Sequence, residues 1–307
     1  MENQNAPFTS SNSNHSASTG TTAEGNTSAQ QIKHNIDAHN HVAKWYDQKH
    51  AEIYNPVEQE RLTQLLQKMV TALPMPANQV HACDVGAGTG NITLKLLALG
   101  CHVTAADVSE TSLNLLRQKT PLNDLPRLQT VVIQGERLPF APNSFQLVTT
   151  YSVLHHIPNY LNAVKNLLDI CAPQGFVLID HEHAAQHWQP DPTLQAWQQI
   201  VRMTRYEHLR GLITRGELFT LPFVKTIFQK LFVNPRYERE GDLHVWPDDH
   251  IEWPKILELA SQNNFRIVES PQYLLYHPKA TIQQYEYYQP LCANMQYAWL
   301  ENLTEGN

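Results

Sequence analysis

The sequence predicts an α/β fold with a doubly wound, mostly parallel sheet. From residue 80 onward, short apolar runs of β-favouring residues alternate with segments whose apolar residues recur at helical spacing. The first of these runs leads into a turn of small residues, 86–90, from which a helix begins. The second ends in a carboxylate, Asp107. Such alternation is typical of parallel strands joined by helical crossovers.

Composition limits the classes of function. The chain has 307 residues, 42% of them hydrophobic, and a formal net charge of −7. It has no run of Lys or Arg, so a nucleic-acid substrate is not expected. No apolar run is long enough to cross a bilayer, and no secretory signal is expected at the N-terminus. Four scattered cysteines without metal-binding spacing predict a reducing, cytoplasmic location.

The first segments are a tail and a covering helix. Residues 1–30 contain almost nothing apolar, which predicts a disordered tail, because such a segment cannot offset the entropy lost on ordering. The core is predicted to span residues 31–183. A helix is expected to begin at Pro56, which suits a first helical turn, and to end before Pro74. Its apolar positions are Leu62, Leu65, Leu66, Met69, Val70 and Leu73.

The glycine-rich turn is the main candidate for ligand binding. Without Cβ atoms, Gly86, Gly88 and Gly90 let the backbone turn sharply and approach a ligand. The helix start behind them is expected to point free N–H groups at that ligand. A dinucleotide fingerprint would need glycine where Asn91 stands, and a P-loop would need a Gly-Lys-Ser/Thr run that is missing.

Asp107 lies 17 positions after Gly90, at the predicted end of the second strand. A carboxylate there can accept hydrogen bonds from both hydroxyls of a ribose. Alternatively, it is a charge at the start of a helix that Ser109 caps. Both interpretations can hold together.

Several stretches resemble one enzyme family. The run Asp84-x-Gly86-x-Gly88-x-Gly90 resembles the first motif of the class I S-adenosylmethionine-dependent methyltransferases. Two other stretches resemble this family, Leu138-Pro139-Phe140 and Leu154-His155-His156-Ile157. A third, Val42-Ala43-x-x-Tyr46-Asp47, resembles its ubiquinone- and menaquinone-biosynthesis branch. The resemblance covers about 40–183 and, more loosely, 242–278. It implies a seven-stranded, Rossmann-like sheet and S-adenosyl-L-methionine as the cofactor.

The resemblance also implies which residues hold the cofactor. The turn would pass beneath its methionine part, Asp84 would orient it through the turn, and an aromatic lid would be Tyr46 or, more weakly, Tyr54. The implied set is Tyr46, Asp84, Gly86, Ala87, Gly88, Gly90, Asp107, Val108, Gln134, Gly135, Tyr151 and Ser152. Two positions depart from the family, since Gln134 and Gln146 replace acids. Glu136 is the substitute for the acid that contacts adenine.

The candidate catalytic residues are Tyr151, His155, His156, Asp180 and His181. The adjacent histidines are expected to point in different directions, so we predict a pocket wall or packing there and no metal. Asp180-His181-Glu182-His183 follows a buried strand. That cluster is interpreted as a general base, a mononuclear metal site, or a polar turn leaving the strand.

After His183 the chain departs from the minimal fold. Residues 184–241 are predicted to be a mainly helical insertion that roofs an apolar or lipid-like acceptor, or that forms a structural elaboration or homodimer surface. Residues 242–278 are expected to complete the sheet, with a last strand near Tyr273–Tyr276. Residues 279–307 are predicted to form an amphipathic C-terminal helix.

The predicted function is methyl transfer to a small or medium, apolar acceptor by in-line displacement. Such a reaction needs alignment and desolvation, and needs a base only if the acceptor loses a proton. Two alternatives stay open: a catalytically silent relative that binds the cofactor or a partner, and an NAD-dependent oxidoreductase.

Overall fold

The structure is a computed structural model. It describes residues 49–134, 137–202 and 242–305, and the single positions 204, 210, 213, 220, 226, 228, 230, 232 and 236. The predicted tail 1–30, the lid residue Tyr46, Gly135, Glu136 and most of the predicted insertion lie outside the described residues.

The described chain alternates helices and strands. The helices are α1 Pro56–Ala72, α2 Asn91–Ala98, α3 Glu110–Lys119, α4 Tyr160–Ile170, α5 Pro192–Val201, α6 Trp253–Gln262 and α7 Ile282–Tyr288. The strands are β1 His81–Val85, β2 His102–Asp107, β3 Leu128–Val132, β4 Phe145–Tyr151, β5 Cys171–His183, β6 Val245–Trp246, β7 Asp249–His250, β8 Phe265–Glu269, β9 Gln272–Tyr273 and β10 Met295–Asn302.

The main sheet has the order β3-β2-β1-β4-β5-β10-β8, with β9 paired to β10. β1 to β5 are parallel where they pair, and β10 runs antiparallel to β5, β8 and β9. The doubly wound, mostly parallel α/β prediction is therefore confirmed. The strand order reverses between β1 and β4, where open α/β sheets form a crevice at the carboxyl ends of their strands.

Helices bury apolar side chains on both faces of the sheet. Leu62, Leu66 and Met69 of α1 are fully buried against one face, and α4 and α6 cover the other. α1 begins as predicted, with Pro56 in its first turn and Asn55 accepting a hydrogen bond from the N–H of Glu58. Gly100, at φ +100°, follows α2 as a C-terminal glycine.

The prediction of a C-terminal helix over 279–307 is wrong. Only α7 is helical there, with Thr281 and Gln284 forming a capping box at its start. Residues 295–302 instead form β10, which lies between β5 and β8. Aromatic and apolar residues at near-helical spacing suggested a helix, but β10 is buried on both faces, where a strand needs no alternation. The expected last strand is also shorter than predicted and ends at Tyr273.

α5 is the described part of the insertion predicted over 184–241. Asp191 caps it by accepting hydrogen bonds from the N–H groups of Thr193 and Leu194. Leu194 and Trp197 are buried beside α7. Within the described ranges, every helix is too short or too polar to cross a membrane.

Candidate functional site

A pocket opens at the carboxyl ends of β1, β2 and β4. Its lining comes from the glycine-rich turn, from the ends of β2 and β4, and from the residues that follow β4. The lining residues are Ile53, Tyr54, Val85, Gly86, Ala87, Gly88, Thr89, Asn91, Asp107, Val108, Ser112, Ile133, Leu138, Thr150, Tyr151, Ser152, Val153, Leu154, His156, Ile157, Pro158, Ala163 and Leu167. It thus occupies the crevice predicted from the strand order.

The three glycines of the turn do different things. A Cβ on Gly86 would lie 2.2 Å from Val153 Cγ2, and one on Gly90 would lie 2.4 Å from Leu116 Cδ1. A Cβ on Gly88, at φ +52°, would meet nothing within 4 Å. Gly86 and Gly90 therefore permit close packing inside the chain, whereas Gly88 leaves open space on the pocket side.

The N–H groups of four turn residues donate within the chain, and the predicted free N–H groups at the start of α2 are not among these four. The N–H groups of Gly86 and Ala87 donate to Ala106 O, at 2.8 and 3.1 Å. That of Gly88 donates to Asp107, and that of Gly90 donates to Ala87 O at 2.9 Å. The tight turn satisfies its own backbone, so it can admit a ligand through the space over Gly88 rather than through these donors.

Asp107 ends β2 at the floor of the pocket and is 8% exposed. Its Oδ2 accepts from the N–H of Gly88 and its Oδ1 from the N–H of Ser109, both at 2.8 Å. Ser109 caps α3, as predicted, by accepting from the N–H of Ser112. These bonds fix the orientation of the Asp107 carboxylate at the pocket floor.

Asp84 does not line the pocket. Its Oδ2 accepts from the N–H and the hydroxyl of Thr93, at 3.1 and 2.6 Å, and its Oδ1 accepts from the hydroxyl of Thr149 at 3.0 Å. Burial raises the pKa of Asp84 to about 6. Asp84 thus ties β1 to the first turn of α2 and to β4, and it can influence a ligand only through the turn.

The two glutamines that depart from the family lie away from the lining. Gln134 is exposed, while the neighbouring pocket wall is apolar and comes from Ile133 and Leu138. Gln146 accepts from the N–H of His81 at 3.0 Å, near the start of β1. The sequence analysis did not predict Ile133 and Leu138 as pocket residues, because no polar side chain marks their positions.

Tyr151 lies at the end of β4, lines the pocket and donates its hydroxyl to Glu58 Oε1 at 2.9 Å. Burial, followed by the charge of Glu58, holds the pKa of Tyr151 well above its usual value. Its ring stacks on His181, with centroids 4.7 Å apart. The tyrosine is therefore a neutral pocket wall whose orientation is set from α1 and β5.

Asp180 is fully buried in β5 and lies outside the pocket lining. It accepts from Arg61 at 2.8 Å, from the hydroxyl of Tyr273 at 3.0 Å and from the N–H of His181 at 2.6 Å. Arg61 also pairs with Glu58 and lies 4.2 Å from the centre of the Tyr273 ring. This group, Glu58, Arg61, Asp180 and Tyr273, is called the buried charge cluster below.

His181 is buried behind Tyr151, also outside the lining. Its backbone has φ +64°, in a region that non-glycine residues rarely adopt. Neither ring nitrogen has a hydrogen-bond partner, and burial lowers the pKa of His181. Since β5 continues to His183, the interpretation of this segment as a polar turn leaving the strand is wrong.

His155 and His156 lie in a 3₁₀ turn, Leu154–His156, after β4. Their ring centroids are 4.1 Å apart, so the expectation that the neighbours point in different directions is wrong. Glu182 accepts from the N–H groups of Val153 and Leu154 and bonds His155 Nδ1 at 2.8 Å. Only His156 of the two lines the pocket.

The chain matches a known family over about a third of its length, including the glycine-rich turn. Residues 83–179 match the family described as "Methyltransferase domain". The predicted resemblance to class I methyltransferases and the predicted Rossmann-like fold are confirmed.

Two curated relatives are named as methyltransferases. A demethylmenaquinone methyltransferase of Staphylococcus epidermidis is 32% identical over 162 residues, which are 52% of this chain and 57% of the relative. One of Staphylococcus haemolyticus is 28% identical over 61% of this chain and 69% of its own length. The chain thus spans little more than half the length of the first of these relatives.

Solved structures also resemble the chain. One of them is described as a putative S-adenosylmethionine-dependent methyltransferase from Listeria monocytogenes. It is 15% identical, with a TM-score of 0.49, over 80% of this chain and 100% of that protein.

Proposed function

We propose that the protein transfers the methyl group of S-adenosyl-L-methionine to a small or medium, apolar acceptor. The observation that carries this proposal is the pocket itself, whose lining lies within the matched residues 83–179 except for Ile53 and Tyr54. Its floor combines the open backbone at Gly88 with an oriented carboxylate at Asp107.

The cofactor would lie across that floor. Its methionine part would occupy the space over Gly88, and Asp107 would accept hydrogen bonds from the ribose hydroxyls. Ile133 and Leu138 would pack against the adenine. Tyr54 lines the pocket and is half-buried. This supports Tyr54 as an aromatic cover for the cofactor, in addition to the predicted lid residue Tyr46.

The methyl transfer itself needs few catalytic side chains. The acceptor's electron pair forms a bond to the methyl carbon while the bond from carbon to sulfur breaks, and the sulfonium leaves as a neutral thioether. The protein's contribution is to hold acceptor and methyl group in line and to exclude water. Tyr151, His156 and the apolar residues after β4 are the walls available for that task.

The acceptor is proposed to be an apolar ring compound. Val153, Leu154 and Ile157 give the end of the pocket beyond β4 an apolar surface, and relatives are named as demethylmenaquinone methyltransferases. A hydroxylated naphthoquinone is therefore the first acceptor to test. Mass spectrometry of the product with a labelled cofactor identifies both the methyl transfer and the atom that receives it.

Binding of S-adenosylhomocysteine, measured by calorimetry, tests the placement of the cofactor. We expect Gly88→Val and Asp107→Ala each to weaken binding at least about tenfold, equivalent to about 1.4 kcal/mol. Gly100→Ala is the matched control, because Gly100 also has positive φ but a Cβ there would lie 3.7 Å from Ala77, away from the pocket. Unchanged affinity in both pocket variants would contradict the proposal.

Two further titrations separate the alternatives. NADH binding in place of S-adenosylhomocysteine would favour the oxidoreductase. Cofactor binding without turnover on any acceptor in cell extract would favour a catalytically silent relative, an alternative that the exposed position of Gln134 supports.

The proposal includes a cytoplasmic location and a homodimer. All four cysteines are buried and free, as expected of a protein in a reducing compartment. Light scattering of the purified full chain measures the oligomeric state directly.

A further inference from the structure

We propose that His155, His156 and Asp242 form a binding site for a divalent transition-metal ion at the edge of the pocket. Each residue offers one ligand atom, and the three atoms lie within 4.8 Å of one another. Asp242 Oδ1 is 3.2 Å from His156 Nδ1 and 4.0 Å from His155 Nε2. The residues come from two segments that are 86 positions apart, counted from His156 to Asp242.

A buried carboxylate orients the first ligand. Glu182 is 2% exposed, and its Oε2 lies 2.8 Å from His155 Nδ1. When Nδ1 donates to a carboxylate, the other ring nitrogen, Nε2, is the basic atom that can bind a metal. That Nε2 is the atom that faces Asp242. An imidazole held between a carboxylate and a metal is the usual arrangement in metalloproteins.

The backbone holds the third ligand in place. The N–H groups of Leu243 and His244 both donate to the carbonyl of His155, at 2.8 and 3.2 Å. His244 Nε2 lies 3.0 Å from the carbonyl of Ile157. The segment after Asp242 is therefore fixed to the turn that carries the histidines, so the carboxylate is positioned beside them by contacts other than its own.

The distances suit a small ion. Metal–nitrogen and metal–oxygen bonds of about 2.0–2.2 Å place neighbouring ligand atoms roughly 3 Å apart. The observed 3.2 and 4.0 Å need a contraction of up to about 1 Å, and the two imidazole ligand atoms, at most 4.8 Å apart, need one of up to about 2 Å, which side-chain rotations can supply. Two imidazoles and one carboxylate with open positions suit Fe²⁺, Mn²⁺, Co²⁺ or Zn²⁺ rather than Ca²⁺ or Mg²⁺.

The open side of the site explains what the ion would do. His156 lines the pocket, and the side chain of Asp242 is 30% exposed, so solvent or an acceptor oxygen can complete the coordination. If the proposed methyl transfer is correct, the ion would bind an enolate or phenolate oxygen of the acceptor and lower its pKa. The metal site itself does not depend on that function.

Co²⁺ titration of the tag-free full chain, stripped with a chelator, tests the site. We expect one Co²⁺ to bind per chain with visible d–d bands, and Zn²⁺ to displace it. Asp242→Asn and His156→Gln should each weaken Co²⁺ binding at least tenfold. Glu182→Gln, which acts only through His155, should weaken it about 10- to 100-fold without changing the stoichiometry.

A neighbouring pair supplies the matched control. His244 Nδ1 lies 2.5 Å from Asp249 Oδ1, but this pair is not part of the three-ligand group. Asp249→Asn should leave Co²⁺ affinity within twofold of the unsubstituted chain. Thermal unfolding without metal checks that each variant folds, and the rise in Tm on adding Zn²⁺ should be lost only in the variants of the three ligands.

Two results would overturn the site. One is the absence of stoichiometric Co²⁺ binding at millimolar metal, which would mean that the histidines simply form ion pairs with Asp242. The other is binding that Asp242→Asn and His156→Gln leave unchanged. S-adenosylhomocysteine binding, measured in the same samples, distinguishes failure of the metal site from failure of the proposed function, since this binding does not depend on Co²⁺.

Discussion

Two regions next to the pocket, the glycine-rich turn and the carboxyl end of β5, are held in place by different kinds of interaction. At the turn end, β1, the glycines and the start of α2 lie within residues 81–98, and backbone hydrogen bonds carry most of the shape. At the β5 end, the buried charge cluster joins Glu58 and Arg61 of α1 to Asp180 and Tyr273. The turn end therefore depends on glycines that have no Cβ. The β5 end depends on buried charges that are paired with opposite charges.

The largest expected effect is at the β5 end. Arg61→Ala would leave Asp180 and Glu58 as buried carboxylates that have lost their cation. We expect the free energy of unfolding to fall by about 3–5 kcal/mol, as found when one partner of a buried ion pair is removed. Urea unfolding measures the loss.

Lys68→Ala on the same helix is the control for Arg61→Ala. Lys68 pairs with Glu269 but its side chain is 59% exposed, so the expected loss is below about 1 kcal/mol. Equal losses in the two variants would mean that the buried charge cluster does not support the β5 end.

Gly86→Ala probes the turn end, with a somewhat smaller expected effect. A Cβ at this position would lie 2.2 Å from Val153 Cγ2 at φ +74°. Overpacking of about 1–3 kcal/mol and left-handed strain of about 1–2 kcal/mol predict a loss of roughly 2–5 kcal/mol in the free energy of unfolding. A double-mutant cycle with Val153→Ala should recover the overpacking part. Additive losses in that cycle would argue against the steric explanation.

The smallest expected effect is the pH dependence that His181 adds. Because burial lowers the pKa of His181 in the folded chain, the unfolded chain binds a proton more readily. The stability contribution of His181 is therefore present above its unfolded pKa, about 6.5, and is lost as the pH falls through the lowered folded value. His181→Asn, which tolerates positive φ, should reduce the loss of stability between pH 7 and pH 5. Equal shifts of the urea midpoint between pH 7 and pH 5 in His181→Asn and in the unsubstituted chain would contradict this prediction.

The same difference decides what the sequence could predict. The turn, Asp107 and the cap at Ser109 follow one another within 24 residues, from 86 to 109, so spacing and residue type predict their placement. The hydrogen bonds from Gly86 and Ala87 to Ala106 on the neighbouring strand were not predicted, because spacing alone does not reveal a contact with another strand.

At the β5 end, sequence reasoning found the titratable residues but not their partners. Asp180 and His181 stood out as a polar cluster after an apolar run, yet Arg61 is 119 positions before Asp180 and Tyr273 is 93 after it. Only the folded sheet brings them together. Asp242 was missed for the same reason, since nothing local links it to His155 and His156.

The position of β10 has a consequence for synthesis on the ribosome. This strand hydrogen-bonds along β5 and β8, although more than a hundred residues separate His183 from Met295. Until residues 295–302 leave the exit tunnel, the nascent chain has a complete cofactor motif but an unpaired edge on β5. Such edges promote association between chains. Chaperones that shield exposed strands should therefore bind this protein during its translation and release it once β10 has paired.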